Sequence, residues 1–565
     1  MTTSKHDTSI ETLVEKIRSG EIRLPEMQRR YVWRAPRVRD LLDSLYRGYP
    51  SGSILLWETD NPQPSRDLDV TQEGSPYSAH KLLLDGQQRL TSLSAVLRGE
   101  PVTVRGRRRP IDILFNLDHP DCLDEYQEVE EDKDDEDDVE DSSDDDLSVI
   151  ERIQNRTFVV ASKSIAQLPN WVSVTKIFSS TGDSKILKEA GVESFDDPRH
   201  DKYSERIQKV RAIKKYMYSV NVLSKDLEYE EVAEIFVRVN SLGVKLRGSD
   251  LALAQITARW PSSLKLFEQF QEQCEENSMD LDLGTLVRTL TVFATDQSRF
   301  ARVSSLSLPK LQAAWEKTQQ GLSFAVNFLR TRAHIEDESL LASPLFFIVI
   351  AYYSQLKNEH LSEAEVQALL RWLYLANGRG RYSRGSSETL VDADLRVLQK
   401  GGGPSALLDT LRQQLGRLEI EASDFVGKGY NSSLFSLVFL VLRERGATDW
   451  QTGMGITTAA QGRQHKIQYH HIFPKALLKA HHEQSLINEI ANMAFISART
   501  NQRISNKKPS EYLPDVIAKQ GQEALARQAI PLDADLYDIE RFEGFIARRR
   551  ELLAEAINGF LRGFE

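Results

Sequence analysis

The chain has 565 residues, 27% of them charged and 40% hydrophobic, with two cysteines and a formal net charge of −11. That length exceeds one compact core and calls for about two or three domains; two cysteines in unrelated contexts, Cys122 and Cys274, exclude a disulfide framework or a cysteine-based zinc site. No window approaches a membrane-spanning apolar run, and the polar N-terminus lacks the apolar stretch of a secretory signal, so no membrane partner and a cytoplasmic location are expected.

In chain order, Ile10, Leu13, Val14 and Ile17 fall at helical spacing and predict a helix over 7–18, broken by Gly20. A second helix is expected over 38–46 and a short strand over 53–57. The apolar run 81–84 stops at Asp85-Gly86, and a helix opens at Gln87 with Leu90, Leu93, Val96 and Leu97 on one face. Residues 111–117 read as another strand. Between Asp124 and Asp146 stand 16 acidic residues and one basic residue, a local charge of −15 that leaves the remaining chain at +4. So polar a tract cannot bury a core, and a disordered insertion near 121–147 is expected, a solvated linker rather than a DNA-mimicking plug. Folded text resumes at Phe158. From Glu230 onward helices are predicted over 232–239, 249–258, 286–294, 308–331, 363–376 and 433–444. A basic and polar unit begins near 448 and closes with a helix over 539–560. Its segment 461–510 holds eight Lys/Arg against two Glu, the footprint of a phosphate-binding surface.

That last unit carries the clearest chemistry. Tyr469-His470-His471-Ile472-Phe473-Pro474 is followed by Asn492-Met493-Ala494-Phe495-Ile496, then by Asn501 and Asn506-Lys507-Lys508-Pro509. Phosphodiester hydrolysis needs a base that works near neutral pH, which suits histidine. It also needs positive charge at the leaving oxygen, which a hard divalent ion supplies through oxygen and imidazole ligands. Adjacent strand residues point to opposite faces, so His470 and His471 can take separate roles if a bend lets both reach one site with Asn501.

The His-His-Ile-Phe-Pro text, Asn492, and Asn501 nine residues later resemble the ββα-metal fold of HNH nucleases. The resemblance implies that His470 and Asn501 bind the metal, Mg²⁺ or a similar divalent ion. It implies that His471 is the general base and that Asn492 holds the loop between the strands. Many HNH proteins carry Asp where His470 stands, which leaves the division of roles between the two histidines open. Arg503, Lys507 and Lys508 are candidate DNA-phosphate contacts.

Three further pieces lie N-terminally: Leu24-Pro25-Glu26-Met27-Gln28-Arg29-Arg30-Tyr31-Val32-Trp33; Leu84-Asp85-Gly86-Gln87-Gln88-Arg89-Leu90-Thr91; and Phe236-Val237-Arg238-Val239-Asn240-Ser241-Leu242-Gly243. In the second, a strand leads through Asp85-Gly86 to a helix N-terminus, whose N–H groups attract anions. Arg89 can fork onto phosphate oxygens, and Gln87 or Gln88 can orient a water. The bland reading of Asp-Gly before a helix is a capping turn. No Gly-x-x-x-x-Gly-Lys-Ser/Thr occurs, which excludes a P-loop. Tyr31 and Trp33 stand among Arg29, Arg30 and Arg34, an aromatic and basic setting suited to a flipped or modified nucleotide, although Trp33 alone reads as core. Arg379-Gly380-Arg381-Tyr382-Ser383 reads equally as a basic loop or a phosphate contact.

The three N-terminal pieces, in this order, resemble the N-terminal half of GmrSD-type modification-dependent restriction enzymes and of SspE-like phosphorothioate-sensing defence proteins. The Asp-Gly-Gln-Gln-Arg box resembles the phosphate loop of the ParB/sulfiredoxin-like fold. Together the resemblances imply an α+β, multidomain chain: a ParB-like α/β domain over 1–250 that binds an NTP and senses DNA, a helical connecting domain over 251–445, and an HNH nuclease domain over 446–565. Nucleotide contacts are then expected from Asp85, Gly86, Gln87, Gln88, Arg89, Thr91, Arg238 and Asn240, and DNA contacts from Gln28, Arg29, Arg30, Tyr31 and Trp33. The nucleotide (GTP, ATP or CTP) and the DNA modification stay open. One HNH site cuts one strand, so a double-strand break calls for a homo-oligomer or two events. Two other readings are a ParB-like nucleotide-dependent DNA-binding regulator with an inactive HNH domain, and an RNA-targeting toxin.

Overall fold

The computed structural model describes residues 3–25, 33, 35–59, 65–66, 80–104, 110–120, 155–162, 165–228, 231–232, 235–236, 248–276, 279–383, 386–457 and 467–565. The acidic tract lies outside the described residues, as do Gln28, Arg29, Arg30, Tyr31, Arg238 and Asn240. The chain is a mixed α+β protein that divides into two compact units, Met1–Leu264 and Lys265–Glu565. Among the described residues no helix is long and apolar enough to cross a membrane.

The first unit is built on strands β1 (Thr3–Ser9), β2 (Ile22–Pro25), β3 (Ile54–Thr59), β4 (Ser65–Arg66), β5 (His80–Asp85) and β9 (Met217–Leu223), in the order β1-β9-β3-β5-β2-β4. Parallel pairs (β3 with β9, β2 with β5) alternate with antiparallel ones (β1 with β9, β3 with β5, β2 with β4). The central strands are apolar on both faces, as a sheet covered on both sides requires. Ile54, Leu56, Leu83, Tyr218 and Val220 join the core with helices α1 (Ile10–Arg18), α2 (Ala35–Tyr46) and α3 (Gln87–Leu97). Leu55, Trp57, Leu82 and Leu84 face the other way, onto Val232, Phe236 and Ala254 of α5 (Gly248–Arg259); α4 (His200–Ala212) lies on the first side. A second sheet, β7 (Phe158–Val160), β6 (Ile113–Asn116) and β8 (Trp171–Ser173), has β6 at its centre.

The helix expected over 7–18 begins only at Ile10. Residues Thr3–Ser9 pair antiparallel with β9, and the Ser9 hydroxyl accepts from Thr12 N to cap α1. A serine oxygen that satisfies an otherwise unpaired helix N–H marks a boundary that apolar spacing alone does not.

The second unit is predominantly helical. It includes α6 (Leu283–Thr295), α7 (Leu308–Thr331), α8 (Leu345–Leu356), α9 (Glu363–Gly378) and α10 (Ser433–Glu444). Sequence periodicity missed α8, because Leu-Phe-Phe-Ile-Val-Ile-Ala-Tyr-Tyr is apolar on every side and the helix is buried all round. The Arg379–Ser383 segment is neither a loose loop nor a phosphate contact. Arg381 and Tyr382 are buried on Asp394, at 2.5–2.6 Å and 2.5 Å, and Arg379 pairs with Asp424 at 2.8 Å. Further along, β10 (Ile467–His471) and β11 (Met493–Ser497) form an antiparallel hairpin, followed by α11 (Lys475–Leu478) within the connection, then α12 (Ala498–Ile504), α13 (Pro509–Gln520) and the closing α14 (Phe542–Arg562).

Candidate nuclease site on the hairpin

The hairpin register sets His470 opposite Ala494 and His471 opposite Met493, at the end of β10. The small Ala494 and the apolar β11, buried throughout, leave the polar groups of this region to β10 and α12. Phe473 of the connection packs on Phe542 and Phe545 of α14, at 5.2 and 5.0 Å between ring centres, which pins the hairpin to the closing helix.

His470 is buried at 3% exposure, between the Trp450 and Tyr512 rings, and its Nδ1 lies 2.7 Å from Asn501 Oδ1 of α12. The structure thus brings together two of the three groups expected to converge. His471 takes the other face of β10, with Tyr469 (6.1 Å between rings), Lys475 and Asn488 around it, but stays within electrostatic reach of His470. Strand alternation persists to the strand's last residue, so a substrate that meets both imidazoles has to wrap the end of β10.

Burial pushes His470 down to about 4, against a contact with Asn501 that favours the cation. His471 is also pushed down to about 4, first by burial and then by the Lys475 charge, with Asn488 opposing. Both rings are therefore neutral near pH 7, as a metal ligand and a proton acceptor must be. The Nε2 atoms of both, and Asn488 Oδ1, are buried without a hydrogen-bond partner. Buried polar atoms are nearly always paired in folded proteins, so an orphan such as His470 Nε2 asks for a ligand, ion or water.

Asn492 stands directly before β11. It is fully buried; its Oδ1 accepts from Phe473 N at 2.9 Å, and its Nδ2 donates to Phe473 O at 3.1 Å and Ile487 O at 3.0 Å. It holds the connection and is closed off from chemistry. Arg499, Arg503, Lys507 and Lys508 are exposed around Asn501 and make no ion pair among the described residues, so their charge is available to a polyanion.

Sequence reasoning missed the residues that hold this unit in shape. Asp449, 1% exposed, accepts from Thr500 Oγ1 at 2.8 Å, Ser497 N at 2.8 Å and Thr452 N at 2.8 Å, which fixes the start of α12 and hence Asn501. Burial pushes its carboxyl up, but these hydrogen bonds win and hold it below the ordinary value. Gln528 bonds both the N–H and the C=O of Phe495, at 2.9 and 2.8 Å, and so pairs the open edge of β11. Arg549, fully buried, donates to the carbonyls of Ala491, Gln528 and Ala529. No motif marks these residues; only a polar residue in an apolar stretch, as at Gln528 or Asp449, could have drawn notice.

In the first unit, α3 starts at Gly86, whose φ of 101° favours glycine and which no side chain caps. A Cβ there would meet Ile54 Cδ1 at 2.4 Å. Arg89 does not face open space: it donates to Ser51 O at 2.6 Å, Ser53 O at 2.8 Å and Asp85 Oδ2 at 3.1 Å. Gln88 Oε1 accepts from the half-buried Trp33 N at 3.1 Å, Gln87 is buried, and the buried Thr91 hydroxyl has no partner.

Residues 10–257 match the family model for the N-terminal domain of the GmrSD restriction endonuclease. An uncharacterized protein of Methanocaldococcus jannaschii is 24% identical over 554 residues, covering 92% of this chain and 89% of its own length. The first likeness spans most of the first unit, and the second runs through both.

Proposed function

We propose, from the likeness of residues 10–257 to a restriction endonuclease domain, that this chain is a restriction-type defence nuclease acting on DNA. In this reading the first unit senses modified DNA and binds and hydrolyses a nucleoside triphosphate. The second unit hydrolyses phosphodiesters at an HNH site. The observation that carries it is the 2.7 Å approach of His470 Nδ1 to Asn501 Oδ1 in a strand–strand–helix unit whose imidazoles keep unpartnered, buried Nε2 atoms. The exposed basic residues around Asn501 suit a phosphate backbone.

The donor set fits a hard divalent ion. An imidazole nitrogen and an amide oxygen 2.7 Å apart are close to the roughly 3 Å edge of a coordination shell with bonds of about 2.1 Å. Among the described residues no group of three His, Cys, Asp or Glu side chains could hold a metal, which favours an ion that keeps waters and takes phosphate oxygens. His470 and Asn501 would hold it, and when bound it supplies positive charge at the leaving oxygen.

His471 does the proton work. Its neutral Nε2 takes a proton from water; the water oxygen bonds to phosphorus, the P–O3′ bond breaks, and the leaving oxygen takes a proton from solvent. The products are a 5′-phosphate and a 3′-hydroxyl. A base held near 4 is weak in the free protein, but a phosphodiester arriving beside it favours the imidazolium and raises its basicity. In the first unit, Arg89 is held on Ser51 O, Ser53 O and Asp85, which leaves phosphate binding to the backbone at the open end of α3, where a helix N-terminus attracts anions.

The test is nicking of modified and unmodified phage DNA with Mg²⁺, with and without each NTP, by wild type and His471→Ala. Cleavage that depends on modification and nucleotide is expected, with His471→Ala slower by about 10²–10⁴-fold. Undiminished cutting by His471→Ala removes the assigned base. A wild type that binds NTP but cuts nothing favours the DNA-binding regulator.

A further inference from the structure

A row of aromatic rings runs through the second unit from its core to its surface beside the hairpin. Phe439 of α10 meets Phe495 of β11 at 5.1 Å between ring centres, Phe495 meets Phe435 at 5.1 Å, and Phe435 meets Tyr469 of β10 at 5.8 Å. These contacts are tilted or edge-on, as packed rings prefer. The last contact differs. Tyr469 and Tyr430 stack at 5.1 Å, within 13° of parallel, and the two rings are 37% and 36% exposed. Tyr430 makes no other ring contact among the described residues. Its loop is tied to the hairpin connection instead: Gly427 N donates to Glu489 at 3.0 Å, and Lys428 O accepts from Ile490 N at 2.7 Å. The charge this loop presents is positive. Glu489 is fully buried and occupied by Arg550, at 2.6 and 2.7 Å, whereas Lys428 makes no ion pair among the described residues.

Parallel rings that are backed by the core and partly open to solvent suit a flat partner. Every nucleobase has such a face, and stacking on an aromatic side chain is tolerant of sequence. A cation on the same loop suits the phosphates that join successive bases. The pair also adjoins the candidate site: Tyr469 and His471 stand two residues apart on β10, share a face, and lie 6.1 Å apart between rings. We propose that Tyr430 and Tyr469 form a nucleobase platform beside the nuclease site. An unpaired base of the substrate stacks on the pair, Lys428 meets its phosphate, and the adjoining nucleotide is presented to His471. This rests on the nuclease reading above and narrows its substrate. A base inside a duplex has both faces covered by its neighbours, so a strand engages the platform only where it is single or locally opened. The hairpin site therefore prefers single-stranded or gapped DNA to intact duplex.

The test uses the full chain, first without metal. A single strand carrying iodouracil is irradiated on the protein, which links a base to the ring it stacks on, and the linked peptide is mapped. Cross-links are expected at Tyr430 or Tyr469. Tyr430→Ala should bind single strands about 10- to 100-fold more weakly. Its affinity for an intact duplex of the same sequence should stay within about twofold, because duplex binding draws on phosphate contacts. Tyr430→Phe should bind as wild type does, since the ring and not the hydroxyl stacks. With Mg²⁺, wild type should nick gapped DNA faster than intact duplex, and Tyr430→Ala should lose that preference. An equal loss on single strand and duplex, which a disturbed fold would give, overturns the platform. Cross-links found only elsewhere, with single-strand binding by Tyr430→Ala unchanged, also overturn it and leave the exposed pair to a protein partner. A wild type that cuts gapped and intact DNA alike overturns the platform and leaves the nuclease reading standing. Cross-links at Tyr430 in a wild type that cuts no DNA keep the platform and overturn the nuclease reading.

Discussion

The hairpin of the second unit and the Asp85–Thr91 box of the first were marked by the same kind of sequence signal, a short polar motif at the edge of a strand. They differ in how the folded chain uses those polar groups. On the hairpin, His470 Nε2 and His471 Nε2 are buried without hydrogen-bond partners, and the nearby cations Arg499, Arg503, Lys507 and Lys508 make no ion pair among the described residues. In the box, Arg89 is held by two backbone carbonyls and Asp85, and the buried Thr91 hydroxyl is left over. A functional group has to be kept from bonding its own protein. By that criterion the hairpin is poised for an external ligand, and the box owes any affinity for phosphate to its backbone turn rather than to its arginine.

Three substitutions sharpen the contrast. Asn492→Ala has the largest expected effect, because it strands Phe473 N–H and the carbonyls of Phe473 and Ile487 in the interior. Each group left unpaired costs about 1–3 kcal/mol. Denaturant melts should show the second unit strongly destabilised, with cleavage lost alongside. Retained stability would mean that the hairpin connection is held by something else. Arg89→Ala should destabilise the first unit by about 1–3 kcal/mol, the worth of hydrogen bonds from a charged donor. Triphosphate affinity, measured by titration below the melting range, should barely change. A large loss of nucleotide affinity with unchanged stability would reverse the distinction between the two sites.

The smallest effect is a pH dependence. The Asp449 carboxyl is held below its ordinary value of 3.8, so its stabilisation is complete above that value and is lost as pH falls through the lower folded value. Acid melts of wild type should steepen below about 3.8 relative to Asp449→Asn, which has no carboxylate to protonate. Parallel acid limbs would show that Asp449 does not couple the start of α12 to stability.

Much of this protein was readable from its residues. Long periodic helices such as Leu308–Thr331 and Ser433–Glu444 appeared at the bounds expected of them, since an amphipathic face at 3.6-residue spacing is a local property. The doubly buried strands β3 and β5 were visible as apolar runs, and the hairpin followed from His-His-Ile-Phe-Pro and the two asparagines. The helix α8 was not visible, because burial on every side erases periodicity. Nor was the strand Thr3–Ser9, whose pairing with β9 joins residues some two hundred positions apart.

What the sequence determined by itself was which kinds of side chain stand together: imidazoles, amide oxygens and cations gathered in one short stretch, since those types are written in the residues. What only the tertiary structure decided was which of them are free to act. Arg89 read as a phosphate ligand, and Arg381 equally as part of a basic loop or a phosphate contact, until the fold set Ser51, Ser53 and Asp394 against them. Hydrogen-bond saturation depends on partners distant in sequence, and in the low dielectric of a protein interior an unmet polar group is costly enough to mean something.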